Sequence, residues 1–224
     1  MLDHGYHAIG PDHPESSIGW YRRAFDIPRK DQRRRLTLEF DGVFRDSTVF
    51  VNGHYMGRHA SGYTPYRYDI TDVANYGGRN VVAVRVDASK FEGWWYEGAG
   101  IYRNVWLLKT HPLHIERDGV VVTTKGGKTT IRTKVRNDSD NAVWFDLKSE
   151  IPKQKSTSRR LRLSPWSSIE VTQQLVVKAP KLWSPDEPNL YRVRSTLSTG
   201  RRTVDQVETT FGFRTTRWDS NRGF

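Results

Sequence analysis

Ser47-Thr48-Val49-Phe50-Val51 runs straight into Asn52-Gly53 and leaves it as His54-Tyr55-Met56-Gly57-Arg58. Asn-Gly tolerates the positive φ angles that both central residues of a type I′ turn need, so the flanking runs are predicted to pair as a tight antiparallel hairpin. A hairpin alone is marginal in water, and more strands must cover its apolar face. The chain supplies them. Tyr21, Arg23, Phe25 and Ile27 fall on one face in period two, and Pro28 stops that run. Leu36, Leu38 and Phe40 alternate inward before a turn at Asp41-Gly42, residues 80–86 place their even-numbered valines inward, and residues 101–108 form another strand. Helical periodicity is scarce; Thr71 or Asp72 is the predicted cap of a single turn near Val73.

Near His111-Pro112 the spacing changes, and strands are predicted at residues 113–124, 129–135, 144–151, 169–177, 190–198 and 203–209. Six or seven strands over about a hundred residues have the rhythm of an immunoglobulin-like sandwich. The expectation is therefore an all-β chain of two domains, residues 1–111 and 112–224. With no cysteine, the second domain has no disulfide to pin it, and its core is expected to rest on Trp144, Phe145, Leu147, Leu175, Val177, Leu190 and Tyr191. Trp20, Trp106 and Trp166 are expected in cores as well.

Lys and Arg number 36 against 25 Asp and Glu, a net charge of +11 that first raises nucleic acid or an anionic polymer as partner. The basic residues are dispersed, and their clusters at residues 29–35, 153–162 and 201–202 sit among turn-like residues and read as solvated loops. No nucleic-acid partner is expected. No run of 18 apolar residues and no charged-then-apolar amino terminus is present, so neither a membrane span nor a signal peptide is visible, and the compartment stays open. The seven histidines never fall at metal-ligand spacing, and there is no phosphate loop, dinucleotide fingerprint or nucleophile elbow. No metal or cofactor is expected.

One segment does suggest ligand chemistry. In residues 91–100, Trp94, Trp95 and Tyr96 crowd between Glu92 and Glu97 and are bracketed by glycines. Sugar rings stack on such faces while carboxylates accept hydroxyl hydrogen bonds, so these five are the candidate substrate-binding residues. The alternative reading is that Trp95 and Tyr96 pack into the sandwich edge or against another domain. Glu92 and Glu97 are the only acidic pair near the rings, but they are not assigned as the catalytic carboxylates that would flank a sugar bond at about 5 to 10 Å.

Four stretches resemble, in order and spacing, the amino-terminal sugar-binding jelly roll of family 2 glycoside hydrolases of the β-galactosidase type. They are residues 19–25 (Gly-Trp-Tyr-Arg-Arg-Ala-Phe), 49–57 around Asn52-Gly53, 62–71 from Gly62-Tyr63-Thr64-Pro65, and 94–105 through Gly100-Ile101-Tyr102-Arg103. Residues 182–191 and Phe211-Gly212-Phe213-Arg214 resemble the end of the immunoglobulin-like domain that follows in those enzymes. The resemblance implies a jelly-roll sandwich followed by an immunoglobulin-like sandwich, both non-catalytic, supporting a (β/α)₈ barrel that carries the catalytic glutamates. That barrel would begin after Phe224, the usual Asn-Glu setting of those glutamates occurs nowhere here, and no residue of this chain is assigned a catalytic role.

The implied parent is a retaining exo-glycosidase acting on β-galactosides, with β-glucuronidase and β-mannosidase as rivals and a homo-oligomer left open. A different reading is a stand-alone carbohydrate-binding module. Only 18 residues precede Gly19, so the jelly roll is expected to lack an edge strand, and Trp94 stands where some relatives place a sugar-contacting aspartate.

Overall fold

The computed structural model describes residues 18–89, 99–154, 156–216 and 220–221. They are almost entirely β, and the chain divides into two compact units, Met1–Thr110 and His111–Phe224. The first unit contains β1 (Ile18–Ile27), β2 (Arg35–Phe40), β3 (Val43–Phe44), β4 (Ser47–Val51), β5 (His54–His59), β6 (Tyr66–Asp69), β7 (Gly78–Asp87), β8 (Gly100–Ile101) and β9 (Val105–Thr110). They form a jelly-roll sandwich: one sheet of order β1-β7-β4-β5, a second of order β6-β2-β9, and a short β3-β8 ladder.

Strict alternation builds the core between the sheets. Val82, Val84 and Val86 of β7, Leu36, Leu38 and Phe40 of β2, and Val49 and Val51 of β4 are all buried in one cluster. Each such side chain contributes about 1.5–3 kcal/mol by leaving water, against about 0.5–1.5 kcal/mol for a typical neutral hydrogen bond. Asn52 at φ 51° and Gly53 at φ 86° make the turn between β4 and β5, as their residue types dictate. The same alternation carries Asn80 inward, where it is fully buried and every polar atom of its amide is used. Among the described residues the only strand paired with β1 is β7, and the only strand paired with β9 is β2. A cleft of about 710 Å³ opens there, lined in part by Tyr21, Phe25, Phe40 and Leu107.

The second unit contains β10 (Leu113–Lys125), β11 (Lys128–Asn137), β12 (Val143–Glu150), β13 (Ser156–Leu163), β14 (Ser167–Val176), β15 (Tyr191–Thr199) and β16 (Arg202–Phe211). Sheets of order β10-β11-β14 and β13-β12-β15-β16 face each other as an immunoglobulin-like sandwich. Phe145, Leu147, Val171 and Leu197 fill one part of its core, and Ile131, Leu175, Val193 and Phe213 another.

Several expectations are corrected. Trp20, Trp106, Trp144 and Trp166 are all exposed rather than core, and so is Leu190. The cause is strand parity: β12 buries Phe145 and Leu147, so Trp144 must point outward, where the Arg160 guanidinium lies 5.7 Å from its ring. The indole N–H groups of Trp106 and Trp166 are meanwhile satisfied by Asp41 and Asp140, both at the surface. The basic run at residues 153–162 is not wholly loop. β13 is an edge strand whose Leu161 and Leu163 pair across from Phe145 and Val143, while Arg159, Arg160 and Arg162 keep their guanidiniums in water and discourage further strand pairing. Neither Thr71 nor Asp72 caps the 3₁₀ turn Thr71–Val73. Asp69 accepts the Thr71 N–H instead, and the Thr71 hydroxyl oxygen accepts from the Leu36 amide.

Because Leu147 is fully buried and Trp144 is 56% exposed, Leu147→Ala should lower the unfolding free energy by about 2–5 kcal/mol and Trp144→Ala by less than about 1 kcal/mol. Urea unfolding followed by circular dichroism checks the contrast.

Candidate functional site

Glu92, Trp94, Trp95, Tyr96 and Glu97 belong to residues 90–98, outside the described residues. The structure describes the frame on either side of that connection between β7 and β8. Its two feet are anchored in the jelly roll, since Ala88 and Ala99 are buried to 0% and 1% exposure. At the first foot the Asp87 carboxylate accepts hydrogen bonds from the Ser89 amide and hydroxyl and from the Arg85 guanidinium. The Asp87 amide donates to the carbonyls of Arg45 and Asp46. The Ser89 hydrogen bonds, with Arg85 beside them, bring the Asp87 carboxyl down from 3.8 to about 2. At the second foot β8 pairs with β3, setting Gly100 opposite Phe44 and Ile101 opposite Val43.

Phe44 organises the surface next to these feet. Its ring lies so close to Gly62 that a Cβ there would come within 2.1 Å of it, which is why the backbone at this point carries no side chain. Tyr63 meets the Phe44 ring edge-on at 5.5 Å between centroids, and the buried Arg45 places its guanidinium 5.7 Å from the same ring. The Tyr102 hydroxyl donates to the Gly62 carbonyl at 2.8 Å, tying the segment after β8 to this loop. Beneath it His59 stacks on Tyr66 at 4.3 Å and exchanges a hydrogen bond with the Thr64 hydroxyl. Burial raises the Tyr66 phenol, whose oxygen lies 2.7 Å from the Ser47 hydroxyl, so this tyrosine stays neutral.

Chemically, the frame suits recognition. Of the carboxylates at this end, Asp46 is paired with Arg58, Asp87 with Arg85, and Asp41 accepts from Trp106. Tyr63 is 62% exposed, and the Arg103 guanidinium lies 5.4 Å from the Tyr102 ring beside a shallow cavity of about 440 Å³ bordered by Asp41, Pro65 and Asn104. Exposed ring faces next to planar donors are what a sugar's C–H faces and hydroxyls engage. Among the described residues no group of three His, Asp or Glu side chains could hold a metal ion. The density of aromatic residues pointed to residues 94–96. Tyr63 and Tyr102 were visible only as members of motifs and Phe44 not at all, because nothing local says that three separate segments converge.

Comparison with known proteins gives the same division of the chain. Residues 9–112 match the model of the family 2 glycosyl hydrolase sugar-binding domain, and residues 113–214 match a second family 2 glycosyl hydrolase model. A β-galactosidase of Bacteroides ovatus is 36% identical over 92% of this chain, and a β-glucuronidase of Bacteroides fragilis is 30% identical over 92%. A solved structure of a glycosyl hydrolase family 2 member from Bacteroides cellulosilyticus superposes with a TM-score of 0.86 at 30% identity, covering 92% of the chain. The chain spans 26% and 33% of the lengths of those two relatives and 28% of that solved chain.

Asp87 predicts a pH dependence of this frame. Its carboxyl titrates lower in the fold than the ordinary 3.8, so it contributes stability at and above that value, and the contribution is lost as pH falls toward about 2. Asp87→Asn should therefore lower the melting temperature at pH 5, with the gap to the unsubstituted chain closing by about pH 2. Thermal unfolding across that range measures it.

Proposed function

Since the chain belongs to glycosyl hydrolase family 2, we propose that its two β-domains serve as the non-catalytic front of a β-galactosidase acting on terminal β-galactosides. In this reading they buttress a (β/α)₈ barrel, and residues 90–98 form one wall of its substrate pocket. The observation that carries it is the ordered match of both units to family 2 models over a chain spanning 26% of a β-galactosidase relative. Trp94, Trp95 and Tyr96 would stack on the sugar while Glu92 and Glu97 accept from its hydroxyls, supported by the rigid feet at Ala88 and Ala99. Leu182 and Leu190, each 59% exposed, offer apolar surface on the second unit of the kind that a further domain covers. A β-glucuronide substrate is the second reading, favoured by the Bacteroides fragilis relative.

Expression of the chain together with the coding sequence that follows it, beside the 224-residue chain alone, tests both parts. The longer protein should hydrolyse p-nitrophenyl β-galactoside in preference to the β-glucuronide, and the 224-residue chain should hydrolyse neither. Preference for the glucuronide overturns the galactoside assignment, and turnover by the purified 224-residue chain overturns the accessory role. In the longer protein Trp95→Ala should raise KM on the order of tenfold, more than it lowers kcat, as loss of a stacking contact requires.

A further inference from the structure

Alternation on β1, β4 and β5 places Trp20, Phe50 and Tyr55 on the outer face of the β1-β7-β4-β5 sheet, away from the core. Trp20 and Tyr55 are each 62% exposed. The three rings form a continuous ladder: Trp20 stacks with Phe50 at 6.1 Å and 28°, and Phe50 meets Tyr55 edge-on at 5.8 Å. Ala83 lies opposite both Arg22 and Phe50 in the sheet register, so a small methyl group makes the floor between a guanidinium and a ring. A cleft of about 850 Å³ crosses this face; its described lining includes Arg22 and Arg79 and no acidic residue, and Asp26 lies opposite Arg79 in the sheet register. Contiguous exposed rings on a soluble sheet mark a binding surface more often than a neutral one.

We propose that this face is a platform for an extended polyuronate chain. Ring faces stack on pyranose C–H groups, and guanidiniums form paired hydrogen bonds with carboxylates. The combination of an aromatic ladder with two cations selects a sugar polymer bearing regular negative charge over a neutral one. The ring centroids on β1, β4 and β5 are 6.1 and 5.8 Å apart, close to the length of one sugar residue. The platform requires neither residues 90–98 nor a following catalytic domain, so it stands or falls separately from the galactosidase reading.

Native affinity electrophoresis of the 224-residue chain in gels containing polygalacturonate, β-1,4-galactan or dextran sulfate tests the proposal. Polygalacturonate should retard the chain. Trp20→Ala and Tyr55→Ala should each weaken that binding on the order of tenfold, Arg79→Gln should weaken it and flatten its salt dependence, and Trp144→Ala in the second unit should leave it unchanged. Circular dichroism confirms that the variants, all at exposed positions, keep the fold. Absence of retardation overturns the proposal, as does equal retardation by galactan. Equal retardation by dextran sulfate that persists in Trp20→Ala identifies unspecific charge attraction and also overturns it. A concentration-dependent dimer abolished by Trp20→Ala shows that the face pairs with a second copy instead.

Discussion

Buried carboxamides hold each sandwich in register. In the first unit Asn80 is fully buried on the central strand β7, and its amide accepts from Asn52 and the Asn75 backbone while donating to the Asn75 and Gly78 carbonyls. Asn52 in turn donates to Val73 and accepts from the Val81 amide, so the β4–β5 turn, the 3₁₀ turn and β7 are joined at one point. The second unit repeats the device. Asn137 is fully buried, donates to the carbonyls of Asn141 and Ser164 and accepts from Ser139, pinning two turns together. Gln173 of β14 reaches across to Ser149 and the Leu147 carbonyl of β12, linking the two sheets. Apolar burial supplies most of the stabilisation but is indifferent to small slips. A buried amide left unpaired after a slip loses far more than it gains, so these groups select one register.

That rigidity extends to the frame around the connection between β7 and β8. The connection between β7 and β8 leaves the jelly roll from two buried alanines, and the carboxylates beside it are held by arginines, by Ser89 or by Trp106. Charges already neutralised by fixed partners make poor general acids or bases, but they orient backbone well. Phe44 does the same for the neighbouring loop: its ring occupies the space a side chain at Gly62 would need, and Tyr63 and Arg45 pack on it from other directions. The frame is stiff where it meets the core and displays rings where it meets solvent.

Much of this was legible in the order of residues. The alternation at residues 36–40 and 80–86 and the Asn52-Gly53 pair dictate strands and a hairpin because they act through local backbone geometry, with period two and a turn that few residue pairs accept. Motif order was likewise sufficient to establish the all-β class and the family, since those stretches reflect turns and packing that any member must reproduce. Tertiary structure decided which face is covered where aromatic residues stand on both sides of a strand, as at Trp144 and Phe145. Large aromatic side chains are core at Phe145 and surface at Trp20 or Trp144, because parity is set by the strand packed opposite and not by the hydrophobicity of one side chain. It also decided that Asn80, Asn137 and Gln173, polar residues that strand alternation carries inward, are satisfied there. Their hydrogen-bond partners come from segments distant along the chain, and burying them is favourable only once those partners have arrived.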